Sequence, residues 1–445
     1  MTSRTPRRRT IGLIAGLAAA ALALTGCSSG GGAPSGKTTI SWWGYGPDVS
    51  VVNQYLEAFN KDHPDITVKF KLISQASYDA VLRPALLSNS GPDIFLEDPG
   101  ARFERFQRFG TDLSPSFQKA LGKDWKKKIG AIGVDGFTKD GKLMAAPVGG
   151  DFAGWVWVNQ SLFDQYKLTP PKDFDEWVKV CQEFKKNNVG CFVQGAQLTA
   201  FDQDTFQSIA DSIEPGLYFK AVQGKAKWDD PKLVQALTTW KDMFSNGIMQ
   251  DGALGITQFP DANNDFLAGK YAMVQMGTWY MQNTRVDILT AGMKAAGNTG
   301  KPFVALPIPF PAVEAGGTPG AIYGNSGGGL AVSAKSKNKE AASTFATWLA
   351  TAKGGQQIIA NLMVNTPSLA DVAPDFDSIK LVDPAVQEPA ITKMIASVAD
   401  VTETRQLVNA DLATAVATAL TSTADGSVGP QQAAATLQKT AAGLR

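Results

Sequence analysis

Aromatic side chains gather at three places in this sequence, in segments that also carry carboxylate or amide groups. They are Trp42, Trp43 and Tyr45; then Phe152, Trp155 and Trp157; then Trp279 and Tyr280. Flat rings offer a face to the C–H side of a sugar ring, and carboxylates and amides bind hydroxyl groups. Most tryptophans of a globular chain belong to its core, so packing explains any single ring more simply. Together the three groups predict a site for a small polyhydroxylated molecule.

Side chains that many catalytic and metal sites require are scarce. The chain has one histidine, His63, which precedes Pro64 at the end of a predicted surface helix and is interpreted as solvated. A histidine triad or a multi-histidine metal site is therefore excluded unless His63 itself is the catalytic group. A glycosidase needs only two carboxylates, and 41 acidic residues leave that alternative open. We expect a protein that is not an enzyme, with no catalytic residue, no metal and no cofactor.

The first aromatic group lies at the end of a predicted strand of a parallel sheet. Residues 39–43 have strand character, residues 49–59 have helical spacing, residues 68–72 alternate with period two, and residues 94–96 form an apolar strand. The order strand, helix, strand predicts crossover helices and parallel pairing. Ligands of such sheets bind beyond the carboxyl ends of the strands, where residues 43–48 lie.

A second run of α/β patterns begins near residue 149. Residues 155–158, 191–193 and 271–275 are predicted strands. Phe174 to Phe184 mark an amphipathic helix, for which Asp173 and Glu176 form a capping box. The proline-rich residues 306–311 are interpreted as an extended crossing.

The N-terminus has the pattern of an export signal. Four arginines precede an apolar run over residues 11–25, which is too short to span a bilayer. Residues 24–27 resemble a bacterial lipobox, so we expect residues 1–26 to be a lipoprotein signal peptide and Cys27 to carry the lipid; a chance cysteine is the alternative. Residues 27–38 then form a flexible tether. Sec and Tat export both stay open.

If the chain is exported, the two remaining cysteines, Cys181 and Cys191, lie in a compartment where disulfides form. They are an even pair in an oxidising compartment, ten positions apart, at a predicted helix and the strand that follows it. We predict a disulfide between them; two free buried thiols are the alternative. Two cysteines without nearby histidines cannot complete a zinc shell.

Length and charge narrow the class of protein further. The chain has 445 residues, 42 basic and 41 acidic side chains, and 44% hydrophobic residues. That composition indicates two or three packed domains and excludes disordered or fibrous classes. Because four arginines lie in the signal, the remainder is slightly acidic, which argues against nucleic acid as a partner.

Several segments, in order, resemble the family 1 extracellular solute-binding proteins, the sugar-binding subunits of bacterial ABC importers related to maltose-binding protein. The similar segments are residues 39–43, 59–68, 91–95, 141–148, 266–273, 277–279 and 335–342. The resemblance implies an α/β fold of the class II, periplasmic-binding-protein-like kind, with a ligand cleft between two lobes joined by hinge strands. It implies lobe 1 at residues 39–148 and 311–362, and lobe 2 at residues 149–310 and 363–445.

Carried onto this sequence, the resemblance implies a set of cleft residues. They are Trp43, Tyr45, Asp48, Asp98, Asp151, Gln203, Trp279, Asn325 and Arg405, with Trp279 as the stacking platform. Helix capping or turn formation explains Asp48 and Asn325 equally well.

The implied function is that of a monomeric, exported receptor, anchored by lipid at the outer face of the cytoplasmic membrane. It would bind a carbohydrate by hinge closure and deliver it to the permease subunits, whose ATPase is a separate chain. Two alternatives stay open: the same fold binding a polyamine, an amino-sugar derivative or a polyol, and an exported carbohydrate-active enzyme.

Overall fold

The computed structural model describes residues 36–129, 134–197, 199–369, 371–398, 401, 403–405, 407 and 409–444. Lys37–Arg445 form one compact unit. The predicted signal peptide and the predicted lipidation site, Cys27, lie outside the described residues. No helix of the described part is long and apolar enough to cross a membrane.

The described residues form a mixed α/β fold. The strands are β1 (Thr38–Gly44), β2 (Ile66–Leu72), β3 (Ile94–Glu97), β4 (Thr138–Lys139), β5 (Lys142–Leu143), β6 (Ala146–Pro147), β7 (Gly149–Ala153), β8 (Trp155–Asn159), β9 (Gly190–Val193), β10 (Tyr271–Gln275), β11 (Ala305–Pro309), β12 (Tyr323–Ser326), β13 (Gly329–Val332) and β14 (Thr366–Pro367). The helices are α1 (Val49–Asp62), α2 (Tyr78–Leu87), α3 (Ala101–Phe106), α4 (Ser114–Leu121), α5 (Trp125–Lys128), α6 (Gln160–Tyr166), α7 (Phe174–Lys186), α8 (Thr199–Ile213), α9 (Leu217–Val222), α10 (Pro231–Ser245), α11 (Asn263–Leu267), α12 (Val286–Ala295), α13 (Lys339–Thr351), α14 (Lys353–Leu362), α15 (Pro384–Ser397), α16 (Ala410–Ala424) and α17 (Pro430–Gly443).

The first sheet has the strand order β2-β1-β3-β13-β6. β1 pairs in parallel with β2 and β3, which confirms the parallel sheet predicted for the first hundred residues. β13 pairs antiparallel with β3 and β6, so two strands from distant parts of the chain complete the sheet. Trp42 is buried against Phe70 and Phe345, at ring-centroid distances of 4.6 and 5.6 Å.

The second sheet has the order β11-β8-β10-β9 and confirms the three strands predicted there. Every residue of β8 is buried, because its alternating side chains enter two core clusters: Trp155 and Trp157 one, Val156 and Val158 the other. The prediction for residues 306–311 was wrong in part. Residues 305–309 are extended, as predicted, but they form the edge strand β11, antiparallel to β8, rather than a crossing. Prolines at 307 and 309 fit an edge strand, because an edge residue can lack its N–H without breaking a ladder.

A third, three-stranded sheet of order β12-β7-β14 lies where the chain passes between the other two. β7 directly follows β6 of the first sheet and precedes β8 of the second. β12 precedes β13 of the first sheet, and its Asn325 pairs with Asp151 of β7. Residues 311–322 remain with the helices of the second sheet: the Val313 amide donates to Ser212 Oγ at 2.9 Å.

Three buried clusters form the core, one around the first sheet and two around the second. Cys181 on α7 and Cys191 on β9 are joined by the predicted disulfide, with their Cα atoms 4.9 Å apart. The predicted cap of α7 is present, since the Glu176 amide donates to Asp173 Oδ1 at 2.9 Å. The return bond differs: Glu176 Oε2 accepts from the Lys172 amide at 2.9 Å.

Candidate functional site

Tyr45, Asp98 and Arg102 form a polar group at the carboxyl ends of β1 and β3. The Tyr45 hydroxyl donates to Asp98 Oδ1. Arg102 Nη1 lies 2.5 Å from Asp98 Oδ2, and its guanidinium carbon lies 4.8 Å from the centroid of the Tyr45 ring. Burial and the Asp98 carboxylate raise the pKa of Tyr45 well above its usual value, so the phenol stays neutral.

Tyr78 packs against the group formed by Tyr45, Asp98 and Arg102. Its hydroxyl oxygen accepts from the Leu96 amide at 2.9 Å and lies 3.0 Å from the Leu96 carbonyl, which ties α2 to β3. Its ring packs edge-on against Tyr45 at 5.1 Å. Arg102 Nε also lies 2.9 Å from Asp79 Oδ1, so the guanidinium bridges two carboxylates.

Glu97, the last residue of β3, is fully buried, and neither of its carboxylate oxygens has a hydrogen-bond partner among the described residues. Burial raises the pKa of Glu97 well above its usual value; Arg102 opposes that shift and Asp98 adds to it. A proton bound to this carboxyl group in the folded state removes the cost of an unpaired buried charge.

Trp279 lies in the turn after β10, and hydrogen bonds on both sides hold that turn. The Phe152 amide donates to Thr278 Oγ1 at 3.0 Å, and Trp157 Nε1 donates to the Gly277 carbonyl at 3.1 Å. Gly277 permits this arrangement, because a Cβ there would lie 2.2 Å from the Trp279 ring.

Arg405 covers the half-buried Trp279 ring, with its guanidinium carbon 4.4 Å from the ring centroid. Arg405 is held from the other side by buried Asp204 of α8: Nε lies 3.0 Å from each Asp204 carboxylate oxygen, and Nη2 lies 2.8 Å from Oδ2. Such a forked pair fixes the plane of the guanidinium. Phe201, one helical turn before Asp204, packs edge-on against Trp279 at 6.4 Å.

Asp151 lies on the crossing strand β7, where charges of both groups act on it. Burial raises the pKa of Asp151 to about 7; Arg405 lowers it, and Asp98 raises it. The Asn365 amide donates to Asp151 Oδ1. Gly327 gives the carboxylate its room, because a Cβ at that position would lie 2.5 Å from the Asp151 carboxyl carbon.

The other four predicted cleft residues have different surroundings. Trp43 is half-buried under Lys71, whose Nζ lies 4.2 Å from the ring centroid. Asp48 is exposed at the start of α1, and its side chain makes no capping bond. Gln203 Nε2 donates to the Ala413 carbonyl of α16 at 3.2 Å. Asn325 is buried opposite Asp151 on the neighbouring strand.

Part of the aromatic pattern proves to be core. Trp42, Phe152, Trp155, Trp157 and Tyr280 are all buried. Trp155 and Trp157 belong to the central strand β8, which confirms the strand predicted for residues 155–158, and their burial makes them part of the core. His63 is not fully solvated either, since its ring stacks on Phe59 at 4.7 Å.

Several residues at these places were not predicted from the sequence. They are Glu97, Arg102, Phe201, Asp204 and Asn365. The sequence does contain a pattern that could have identified Glu97, because this residue directly precedes Asp98 at the end of a predicted strand. No local pattern could have identified Asp204, because its partner Arg405 is 201 positions away in the sequence.

The arrangement suits recognition of a neutral polar molecule. Arg102 is paired with Asp98 and Arg405 with Asp204, so neither arginine is an unpaired charge, and Asp151 with Asn365 adds a polar pair on the strand between the two sheets. Aromatic surface with a few convergent polar groups is the general form of a site for a small molecule.

Comparison with known proteins agrees with this class of fold. The model of the bacterial extracellular solute-binding protein family matches residues 43–356. The chain belongs to this family.

Curated relatives include sugar-binding proteins. The chain is 23% identical over 364 residues to the multiple sugar-binding protein of Streptococcus mutans, covering 78% of this chain and 80% of the relative. It is 24% identical over 258 residues to an uncharacterized ABC transporter extracellular-binding protein of Pyrococcus horikoshii, covering 53% of this chain and 54% of the relative. It is 21% identical over 269 residues to the xylose/arabinose-binding protein XacG of Haloferax volcanii, covering 59% and 57%. The matched part of the chain thus spans little more than half the length of the Pyrococcus horikoshii and Haloferax volcanii proteins.

Solved structures share the fold over nearly the whole chain. Maltose-bound MalE3 of T. maritima superposes with a TM-score of 0.72 at 18% identity, covering 92% of this chain and all of that one. A chitin oligosaccharide binding protein superposes with a TM-score of 0.69 at 18% identity, covering 92% and 98%. The fold is therefore the two-lobed fold of maltose-binding-like proteins.

Proposed function

We propose that this chain is the solute-binding subunit of an ABC importer and that its solute is a sugar or an oligosaccharide. The observation that carries the proposal is that each of the two sheets has a similar group of ring, arginine and carboxylate: Trp279 with Arg405 and Asp204 at the second, and Tyr45 with Arg102 and Asp98 at the first. Asp151 lies on the strand between the two sheets, and the charges of Arg405 and Asp98 both act on it.

Each group has a role in binding. The exposed part of the Trp279 ring packs against the C–H face of a sugar ring, and Asp98 and Asp151 accept hydrogen bonds from hydroxyl groups. Arg405 and Arg102 act as positioning residues, because each holds an aromatic ring and a carboxylate in place. No step breaks or forms a covalent bond, so the solute leaves unchanged.

Delivery and anchoring complete the proposal. Ligand contacts from both lobes exist only in the closed form, so ligand shifts the population toward it. The permease subunits then bind that form, and their ATPase is a separate chain. Lipid on Cys27 and the tether of residues 27–38 hold the receptor at the outer face of the cytoplasmic membrane.

One observation favours a second candidate, a cationic solute such as a polyamine. In the described part of the chain, neither Glu97 nor Asp151 forms an ion pair with a lysine or an arginine, whereas Arg102 and Arg405 are paired with other carboxylates. An ammonium group would supply the missing positive charge.

A thermal-shift screen tests these candidates on the exported chain. The set contains mono-, di- and oligosaccharides based on glucose, xylose and N-acetylglucosamine, together with sorbitol and spermidine. We expect a saccharide to raise the melting temperature, because a ligand that binds only the native state stabilises it by mass action. A rise with spermidine alone would support the cationic solute, and chromatographic detection of a cleaved saccharide would support an enzyme.

A further inference from the structure

Phe259 is an exposed aromatic side chain beside the proposed site. In the part of the chain that the structure describes, six large apolar side chains are exposed, and Phe259 is the aromatic one, at 36% exposure. Exposed apolar surface costs free energy in the unliganded state. Single exposed apolar residues are common, so the argument depends on how this ring is held and what it adjoins.

The segment on both sides of Phe259 is fixed. Gln258 is fully buried: its Oε1 accepts from the Gly195 amide, and its Nε2 donates to the Gln275 carbonyl, both at 2.8 Å. On the other side Asp261 Oδ2 accepts from the Thr257 amide at 2.8 Å and from Thr257 Oγ1 at 2.7 Å. The ring is therefore presented to solvent by an anchored backbone.

Phe259 continues the aromatic row that begins at Trp279. Its centroid lies 6.1 Å from that of Phe201, and Phe201 lies 6.4 Å from Trp279. Phe201 is buried, at 3% exposure, so it joins the two accessible rings without offering a surface of its own. Because Phe201 lies between them, Trp279 and Phe259 are two separate apolar surfaces on one side of the site.

We propose that Phe259 is a second stacking position, which binds an outer ring of an oligosaccharide whose inner ring packs on Trp279. This inference rests on the proposed function and adds to it a preference for chain length. A monosaccharide on Trp279 leaves Phe259 exposed, whereas a longer chain covers it and gains the burial of its surface.

Calorimetric titration of Phe259→Ala against the unchanged chain tests the proposal. The probes are glucose, maltose, maltotriose and maltotetraose, with the matching xylose and N-acetylglucosamine series. We expect Phe259→Ala to lose about fivefold or more in affinity for the longest oligomer that binds, since an aromatic contact adds roughly 1 kcal/mol. Affinity for the shortest one should stay unchanged. Phe259→Trp keeps a ring and should retain the length preference.

The controls separate this inference from the proposed function. Leu87→Ala removes another exposed apolar side chain, at 55% exposure on α2, and should leave every affinity unchanged. The second stacking position alone would be overturned if Phe259→Ala lost the same affinity for oligomers of every length, or lost none for any of them. It would also be overturned if the unchanged chain bound only monosaccharides. An unchanged chain that binds no saccharide would contradict the proposed function itself.

Discussion

Trp279 and Arg405 depend on each other for their positions. The forked pair with Asp204 fixes Arg405, and the guanidinium then lies over the Trp279 ring. The turn that carries the ring is itself fixed, because Thr278 Oγ1 accepts a hydrogen bond from the Phe152 amide. A ring oriented before the ligand arrives loses little conformational entropy on binding.

Replacing Trp279 by alanine tests its role as the stacking platform. We expect the affinity for the saccharide found in the screen to fall by more than about tenfold, because stacking and apolar burial are both lost. Arg405 keeps its pair with Asp204, so the fold should change little. Calorimetric titration measures the affinity, and the melting temperature reports the fold. Trp279→Phe keeps a ring and should lose less; an unchanged affinity in Trp279→Ala would remove this residue from the site.

At the scale of elements, α8 carries three buried aspartates, and Asp211 near its end faces Glu403. Asp211 Oδ1 accepts from the Gly216 amide at 3.3 Å, and Gln207 Nε2 donates to Glu403 Oε2 at 3.3 Å. Burial and the Glu403 carboxylate raise the pKa of Asp211 to about 8. A proton kept on Asp211 removes the repulsion between this carboxyl group and Glu403, which lies in the segment that carries Arg405.

This pair predicts a pH dependence of stability. Between about pH 4 and pH 8 the unfolded chain releases the Asp211 proton and the folded chain keeps it, so the free energy of unfolding falls as pH rises. We expect the melting temperature of Asp211→Asn to fall less between pH 5 and pH 8 than that of the unchanged chain. Asn keeps the shape and donates to Glu403. The exposed Asp377→Asn is the control and should follow the unchanged chain; the same slope in Asp211→Asn would contradict a proton kept on Asp211 in the folded chain.

At the scale of the whole molecule, contacts join parts of the chain that belong to different predicted lobes. The Ala101 amide at the start of α3 donates to the Leu407 carbonyl at 3.2 Å. A groove of about 640 Å³ lies beside this contact, between α3 and α16. If the predicted lobes rotate about the crossing strands, we expect this hydrogen bond to break and the groove to widen, since α3 belongs to predicted lobe 1 and α16 to predicted lobe 2.

Small-angle scattering tests this closure. A compact body of the length of Lys37–Arg445 has a radius of gyration of about 22 Å. We expect the radius of gyration to be larger without ligand than with it. The saccharide found in the screen should reduce the radius, because ligand stabilises the closed form. Trp279→Ala at the same saccharide concentration is the control and should stay at the larger radius. One radius with and without a bound saccharide would contradict hinge closure.

The amino-acid sequence alone was enough for the local elements. Hydrophobic patterns predicted strands β1, β2, β3, β8, β9 and β10 and helix α7, and residue spacing predicted the cap of α7. The pairing of Cys181 with Cys191 was predicted from an even cysteine pair in an exported chain. These signals work because hydrophobic alternation and capping act over a few residues. The resemblance added the two-lobed fold.

Only the tertiary structure decided which chemistry-bearing residues meet. Strand β13 lies between β3 and β6, Asp151 lies opposite Asn325, and Asp204 holds Arg405 from 201 positions away. It also decided that Trp155 and Trp157 are core whereas Trp279 remains accessible. The physical reason is that burial and charge pairing depend on contacts between distant segments, and a local pattern carries no information about which distant segment will supply the partner.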